Sequence, residues 1–174
     1  AFDKMYSLDI NPFFNKVAPH PFSVFEDINH DNEVIVNHIK RSLRYLLTEY
    51  KVDGFRFDLT KGFTNNQSNE STAKNYDKDR VEILKGYKDY IMTVKSDAVI
   101  ILEHFCCDQE EKELAEAGMK VWRNANHTFR SSITRRAPDF NQLWCGTSVP
   151  FGTLVGFMES HDEERTCYGW EKLG

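Results

Sequence analysis

Helical and strand-like patterns alternate along this chain, and this alternation constrains the fold more than any other feature. Apolar residues recur at helical spacing over 33–50 and 77–94, and a shorter helical segment over 109–117 ends at Gly118. Four short apolar runs predict strands over 52–59, 98–102, 119–122 and 153–158. Such alternation is typical of an α/β fold with a parallel sheet.

Three stretches of the chain show no clear helical or strand-like spacing of their apolar residues. Residues 1–32 contain Pro12, Pro19 and Pro21 and predict a long, aromatic-rich loop. Residues 62–76 are polar and predict an exposed loop, while residues 126–147 predict a mixed segment that is helical in part.

Composition narrows the range of partners. A length of 174 residues corresponds to one domain, and a net charge of -5 without a basic cluster argues against nucleic acid as a partner. No apolar run approaches the roughly 20 residues that span a bilayer. We therefore expect neither nucleic acid nor a membrane among its partners.

Three of the predicted strands end in a carboxylate. Asp58, Glu103 and Asp162 follow the runs VDGFRF, AVIIL and LVGFMESH. A single acid at such a place is typically a cap for the next helix. Their spacing places the three on strands n, n+1 and n+3, and in barrel enzymes the carboxyl ends of the strands form the active-site face. Together they favour one shared site.

The surroundings of two of these acids predict different protonation states. Arg56 and Asp58 lie two apart on a strand and share a face, so the cation favours the ionised form of Asp58. Glu103 follows five apolar residues, and desolvation there would raise its pKa. One charged and one protonated carboxyl group is the arrangement that retaining glycoside hydrolysis uses.

Three segments, in order, resemble the signatures of the α-amylase family, glycoside hydrolase family 13. GFRFDLTK over 54–61 resembles its strand-4 motif, ILEHF over 101–105 its strand-5 motif, and FMESHD over 157–162 its strand-7 motif. EDIN over 26–29 resembles a shorter loop motif before helix 3. Within the family, the segments ILEHF and MESHDEER most resemble those of the bacterial amylase and branching-enzyme-like group. The resemblance implies an α-amylase-type hydrolase with a (β/α)8 barrel, of which this chain holds strands 4 to 7 with their helices.

By position in these motifs, the resemblance implies three catalytic roles. Asp58 is the nucleophile, Glu103 is the general acid and base, and Asp162 stabilises the transition state. The chemistry requires no cofactor, and a structural calcium ion is compatible with the parent protein. The implied substrate is an α-1,4-glucan of the starch or glycogen type.

The resemblance also implies residues that bind substrate or orient the nucleophile. They are Arg56, Lys61 and His161, and we expect His104, beside the acid, to line the same pocket. A structural role for His104 is equally compatible with its place beside the acid. Gly62 and Ser160 depart from the His and Asn frequent in the family, which leaves the acceptor side of the site open. Trp122 is expected in the core or a cap more than in contact with sugar.

We expect residues 1–174 to be a fragment of one catalytic domain, with 1–32 a long loop before helix 3 and 33–174 forming βα units 4 to 7. A full barrel needs about 250 residues. The fragment alone is expected to be inactive and to self-associate, because half a barrel exposes sheet edges and an apolar interior. The resemblance favours an extracellular or periplasmic parent, and a cytoplasmic one is compatible.

Other functions remain open from the sequence. Hydrolysis and glucanotransfer, as in branching enzymes, share one glycosyl-enzyme intermediate, and no residue here decides between them. A metal-dependent barrel enzyme would also place carboxylates at strand ends, but the gap between Glu103 and Asp162 fits it poorly. A non-catalytic glucan-binding module is the third alternative.

Overall fold

The computed structural model describes residues 8–22, 25–133, 137–143 and 149–168. Within these ranges four strands form one parallel sheet in the order β1-β2-β3-β4. The strands are β1 Gly54–Phe57, β2 Val99–Leu102, β3 Lys120–Asn124 and β4 Leu154–Phe157. The helices are α1 Glu33–Thr48, α2 Lys78–Val94, α3 Asp108–Glu116 and α4 Asn126–Ile133. Three short 3₁₀ turns span Leu8–Ile10, Thr60–Gly62 and Asn141–Leu143.

This parallel sheet with intervening helices confirms the predicted fold class. Each strand except the last is followed by a helix, as in consecutive βα units of a (β/α)8 barrel. Among the described residues, no helix has the length and apolar character needed to cross a membrane.

The two long helices begin at side-chain caps. The Asn32 side chain accepts a hydrogen bond from the Val34 N–H at 3.0 Å, and the Asp77 carboxylate accepts from the N–H groups of Asp79 and Arg80. Such caps satisfy amide groups that lack a partner within the helix. The caps fix where α1 and α2 begin, close to the predicted positions.

Helices α1, α2 and α3 cover one face of the sheet and form the core with it. The buried apolar side chains include Leu43, Leu47, Val81, Leu84, Tyr87, Ile91, Ile100, Leu102 and Leu114. The other face carries Arg56, Ile101 and Trp122, which are half-buried. At the carboxyl ends of β1 and β2, this second face is followed by Asp58 and Glu103.

Some predicted boundaries shift. Strand β1 covers 54–57 of the predicted range 52–59, and it ends early because Leu59 adopts a left-handed backbone with φ 47°, which turns the chain out of the sheet. Within the predicted mixed segment 126–147, helix α4 occupies the first eight residues. Residues 134–136 and 144–148 of that segment lie outside the described residues.

The described part of the N-terminal loop packs against the turn that follows strand β1. A bridge joins Phe14 to Ile28, and His20 Nε2 lies 2.8 Å from the carbonyl oxygen of Gly62. The same nitrogen lies 2.9 Å from Asp27 Oδ1. These contacts fold the loop against the turn that follows Asp58.

Candidate active site

Asp58 and Glu103 lie side by side at the carboxyl end of the sheet. Phe57 and Leu102, which precede them, are partners in the register of β1 and β2. The N–H of Glu103 donates to the carbonyl oxygen of Phe57 at 3.0 Å, which extends the ladder to the acid itself. The structure therefore brings the first two predicted catalytic acids together.

One guanidinium group contacts both acids. Arg56 Nη1 pairs with Asp58 Oδ1, and Nη2 lies 3.1 Å from Glu103 Oε2. The guanidinium also lies over the indole ring of Trp122, 4.2 Å from the ring centroid. Arg56 is therefore placed to orient Asp58, as the sequence predicts, and it reaches Glu103 as well.

Glu103 occupies a site that favours its protonated form. Its side chain is 14% exposed, and burial raises its pKa above the ordinary 4.5. A hydrogen bond from the Leu59 N–H to Oε2 at 3.0 Å and the charge of Arg56 oppose this rise. Hydrogen bonding to Asp58 and the charge of that neighbour add to the rise.

A groove of about 390 Å³ opens beside the nucleophile candidate. Its lining includes Phe22, Phe25, Ile28, Asp58, Leu59 and Phe63. Next to it, Lys61 Nζ lies 4.3 Å from the ring centroid of Phe22, and partial burial lowers the pKa of Lys61. Aromatic faces and a cation beside a carboxylate suit a polyhydroxylated ligand with apolar faces.

The contact between His20 and the turn explains why position 62 holds glycine. A Cβ atom on Gly62 would stand 3.0 Å from His20 Cε1 and 3.2 Å from Nε2. His20 is buried, so its ring has little room to withdraw. A residue larger than glycine at position 62 would therefore displace His20 from its contacts with Gly62 and Asp27.

His104 is expected among the substrate-binding residues, but it does not line the groove beside Asp58. Its side chain is fully buried, with Nδ1 2.9 Å from Thr60 Oγ1 and Nε2 2.8 Å from Glu110 Oε1. Side chains alternate across a strand, so the neighbour of an acid that faces the site turns toward the helices. Its structural role, the other interpretation, is the one that this geometry supports.

The third acid lies at the same edge of the sheet but farther along a loop. Asp162 follows β4, and its side chain and that of His161 are 57% and 74% exposed. The two side chains contact each other, with 3.4 Å between His161 Nε2 and Asp162 Oδ1, and the Asp162 N–H donates to Ser160 Oγ at 3.1 Å. Within the described ranges, Asp162 forms no hydrogen bond or ion pair with Arg56 or Glu103.

A buried cluster behind the acids has the residue types of a metal site but a different bonding pattern. His104, Cys106 and Glu110 place potential ligand atoms within 4.8 Å of one another. Glu110 is already bound by Arg80, whose Nε lies 2.6 Å from Oε1. Calcium prefers six to eight oxygen ligands, so this cluster does not fit the calcium ion that the family resemblance allows.

Sequence reasoning missed two contributors. Trp122 is assigned to the core or a cap, yet its ring lies under Arg56. His20 receives no role from the sequence, yet it fixes the loop to Gly62. Strand alternation gives a signal for Trp122, because it shares the site-facing side of its strand with Asn124. No local signal marks His20.

The buried carboxyl group of Glu103 predicts a pH-dependent cost in stability. Because its pKa is raised in the folded state, the folded protein binds this proton more tightly than the unfolded chain. The cost is absent below about 4.5, the ordinary pKa, and grows as pH rises through the folded pKa. We expect Glu103→Gln to raise the thermal midpoint near neutral pH, with a gain that shrinks in acid.

Thermal unfolding, followed by circular dichroism near neutral pH and again in acid below the ordinary pKa of 4.5, measures how much Glu103→Gln raises the midpoint at each pH. Glu113→Gln is the matched control with the opposite sign. Hydrogen bonds from Lys85 and Tyr76 lower the pKa of Glu113, so its stabilising effect is present above the ordinary 4.5 and is lost as pH falls. A gain in Glu103→Gln that is equal at the two pH values would contradict the predicted burial cost.

Comparison with known proteins identifies the family of this chain. No curated protein matches it. The family model described as the alpha amylase catalytic domain matches residues 20–144, which is more than half of the chain. The match includes Asp58 and Glu103 on their adjacent strands and ends before Asp162. The chain therefore belongs to the alpha-amylase catalytic domain family of glycoside hydrolases, and its parallel sheet corresponds to part of that family's (β/α)8 barrel.

Proposed function

We propose that this chain carries the reacting groups of a retaining glycoside hydrolase that acts on α-1,4-glucans of the starch or glycogen type. The observation that carries the proposal is the contact of Arg56 with both Asp58 and Glu103 at neighbouring strand ends. Membership of the family supports glycoside hydrolase chemistry in general. The α-1,4 linkage and the amylase-like specificity are the proposal's own.

The reaction proceeds in two displacements. In the first, an oxygen of Asp58 attacks the anomeric carbon while Glu103 donates its proton to the glycosidic oxygen, so that the C–O bond breaks and a glycosyl ester forms. In the second, Glu103 as carboxylate takes a proton from water, whose oxygen attacks the anomeric carbon and releases Asp58. The proton returns to Glu103, and the anomeric configuration is retained.

The environments of the two acids support this division of roles. Burial raises the pKa of Glu103, which keeps a proton available for the leaving group. Asp58 is 72% exposed and faces the groove, where a sugar ring can reach it. Their shared contact with Arg56 keeps the two acids near each other, and retaining enzymes hold the two carboxyl groups roughly 5–5.5 Å apart. We expect the two carboxyl groups to adopt this separation when substrate is bound.

The remaining predicted residues receive roles around the sugar. Lys61 and Phe22 border the groove and are assigned to the leaving-group side. His161 is assigned to the sugar in the central subsite, and Asp162 to stabilisation of the positive charge that develops at the anomeric carbon. The exposed loop that carries both must fold over the strand ends for these two assignments to hold.

We also propose that the isolated chain is inactive and self-associates. The sheet face opposite the helices leaves Val99 42% exposed and Arg56, Ile101 and Trp122 half-buried. A second copy that covers this face would form a twofold dimer, the commonest closed arrangement. Light scattering on the purified chain measures this association, and a stable monomer with amylase turnover would contradict both parts.

The decisive experiment is product analysis on amylose and maltooligosaccharides with the protein that carries the complete barrel. We expect shorter α-glucans whose new reducing ends first appear in the α configuration by proton NMR. First products in the β configuration would overturn the retaining mechanism. Elongated or branched products would favour a glucanotransferase, and binding without turnover a glucan-binding module. Cello-oligosaccharides, with β linkages, are the matched control and should remain intact.

A further inference from the structure

The guanidinium group that joins the two acids has few hydrogen bonds of its own. Arg56 Nε is buried and donates none among the described residues, and the contact of Nη2 with Glu103 lacks hydrogen-bond geometry. Arginine has five N–H donors in a rigid fork. A side chain with this many unused donors needs another contact to keep it in one orientation.

That contact comes from a strand two positions away in the sheet. The guanidinium carbon of Arg56 lies 4.2 Å from the ring centroid of Trp122 on β3. A cation over the face of an indole ring is attracted by the ring's quadrupole, and tryptophan is the strongest of the aromatic partners. Trp122 therefore restricts the arginine at its planar face, where hydrogen bonds cannot act.

The indole ring is in turn fixed by packing. Phe157 on β4 packs against it with ring centroids 4.1 Å apart and an interplanar angle of 34°. Trp122 is half-buried. A ring engaged by Arg56 and Phe157 has little face left to bind a sugar, which argues against the alternative role of a stacking platform for substrate.

We propose that Trp122 is a positioning residue that holds Arg56 between Asp58 and Glu103. The inference rests on the proposed function, since it concerns the same pair of acids. The indole contacts Arg56 and Phe157, and Arg56 in turn contacts both acids, so the guanidinium links Trp122 to the acids. Without the indole, the arginine could turn away from Glu103 and leave that carboxyl group without its cation.

The protonation of Glu103 gives a readout that does not require turnover. The charge of Arg56 lowers the pKa of Glu103 against the larger effect of burial. We expect Trp122→Leu to raise the pKa of Glu103, measured by NMR titration of the chain with ¹³C-labelled glutamate carboxyl groups. Trp122→Phe keeps an aromatic face and should stay close to the wild-type pKa. Circular dichroism establishes that each variant is folded.

A double-mutant cycle separates positioning from general packing. In an Arg56→Leu background, Trp122→Leu should produce no further change in the pKa of Glu103. If Trp122→Leu does not fold, Trp122→Met makes the same comparison with a flexible apolar side chain. Equal titration of Glu103 in the wild type and the non-aromatic variant, or an undiminished effect in the Arg56→Leu background, would overturn the inference. Failure of amylose cleavage would instead count against the proposed function and leave this titration result unchanged.

Discussion

Asp58→Asn, in the protein that carries the complete barrel, is expected to lower kcat on maltooligosaccharides by about 10⁴-fold or more. The amide lacks the negative charge that attacks the anomeric carbon, so no glycosyl ester forms and the first displacement stops. Substrate affinity should change far less than kcat, because the neutral side chain keeps nearly the same size. Steady-state kinetics measures kcat and KM. Mass spectrometry tests for the glycosyl ester, which we expect in the wild type and not in the variant.

Asp53→Asn provides the matched control for this substitution. Asp53 precedes the same strand at its opposite end, is 95% exposed, and contacts Lys95 at 3.7 Å. Its loss removes one negative charge without touching the strand end where the acids lie, so kcat should stay near the wild-type value. Near-normal turnover in Asp58→Asn would show that the nucleophile is another group.

Arg80→Met is expected to destabilise the fold by about 3–5 kcal/mol, the usual cost of breaking a buried ion pair by removing one partner. Arg80 is 2% exposed and donates to both oxygens of Glu110, at 2.6 and 2.8 Å. It also donates to the backbone carbonyl oxygens of Lys61, Ala73 and Asn75. The substitution therefore leaves a buried carboxylate and several carbonyl groups without their donor.

Urea unfolding measures this loss as a change in the transition midpoint at constant slope. Arg44→Met on the exposed side of α1 is the matched control and should change the free energy of unfolding little. Adding Glu110→Leu to Arg80→Met should recover part of the loss, because it removes the unpaired charge. A single variant as stable as the wild type would show that this pair contributes nothing net.

The same pair predicts how the protein behaves in acid. Burial acts to raise the pKa of Glu110, but hydrogen bonds from Arg80 and His104 lower it to about 2. A carboxyl group with a lowered folded-state pKa stabilises the fold above its ordinary value of 4.5 and loses this contribution as pH falls toward 2. Acid unfolding in that interval is therefore expected to begin at the contact between α2 and α3.

The strand ends could be predicted from sequence because a local pattern determines them. An apolar run followed by an acid fixes both the strand and the edge where its carboxylate emerges, and parallel pairing then places Asp58 beside Glu103. The contact between Arg56 and Trp122 has no such local cause. It depends on how far a long side chain reaches across β2, which only the assembled sheet determines.

The position of Asp162 shows a different limit. Its motif gives its order along the chain, but its distance from the other acids depends on the path of an exposed loop. Connecting loops run over the surface and vary more than the strands they connect, so a motif does not fix the path of the loop that carries it. For His104 the motif leaves two roles open, and strand alternation favours the structural one, because His104 follows the site-facing Glu103.

Both acids are followed closely by a non-glycine residue with a left-handed backbone, Leu59 at φ 47° and Phe105 at φ 52°. Such a conformation costs a side-chain-bearing residue about 1–2 kcal/mol, and at Leu59 it directs an N–H toward Glu103. Selection for heat resistance alone would therefore favour glycine at these two positions. Selection for turnover would disfavour glycine there, because a more flexible backbone would hold the reacting groups less accurately. Stability and activity should therefore favour different residues at positions 59 and 105.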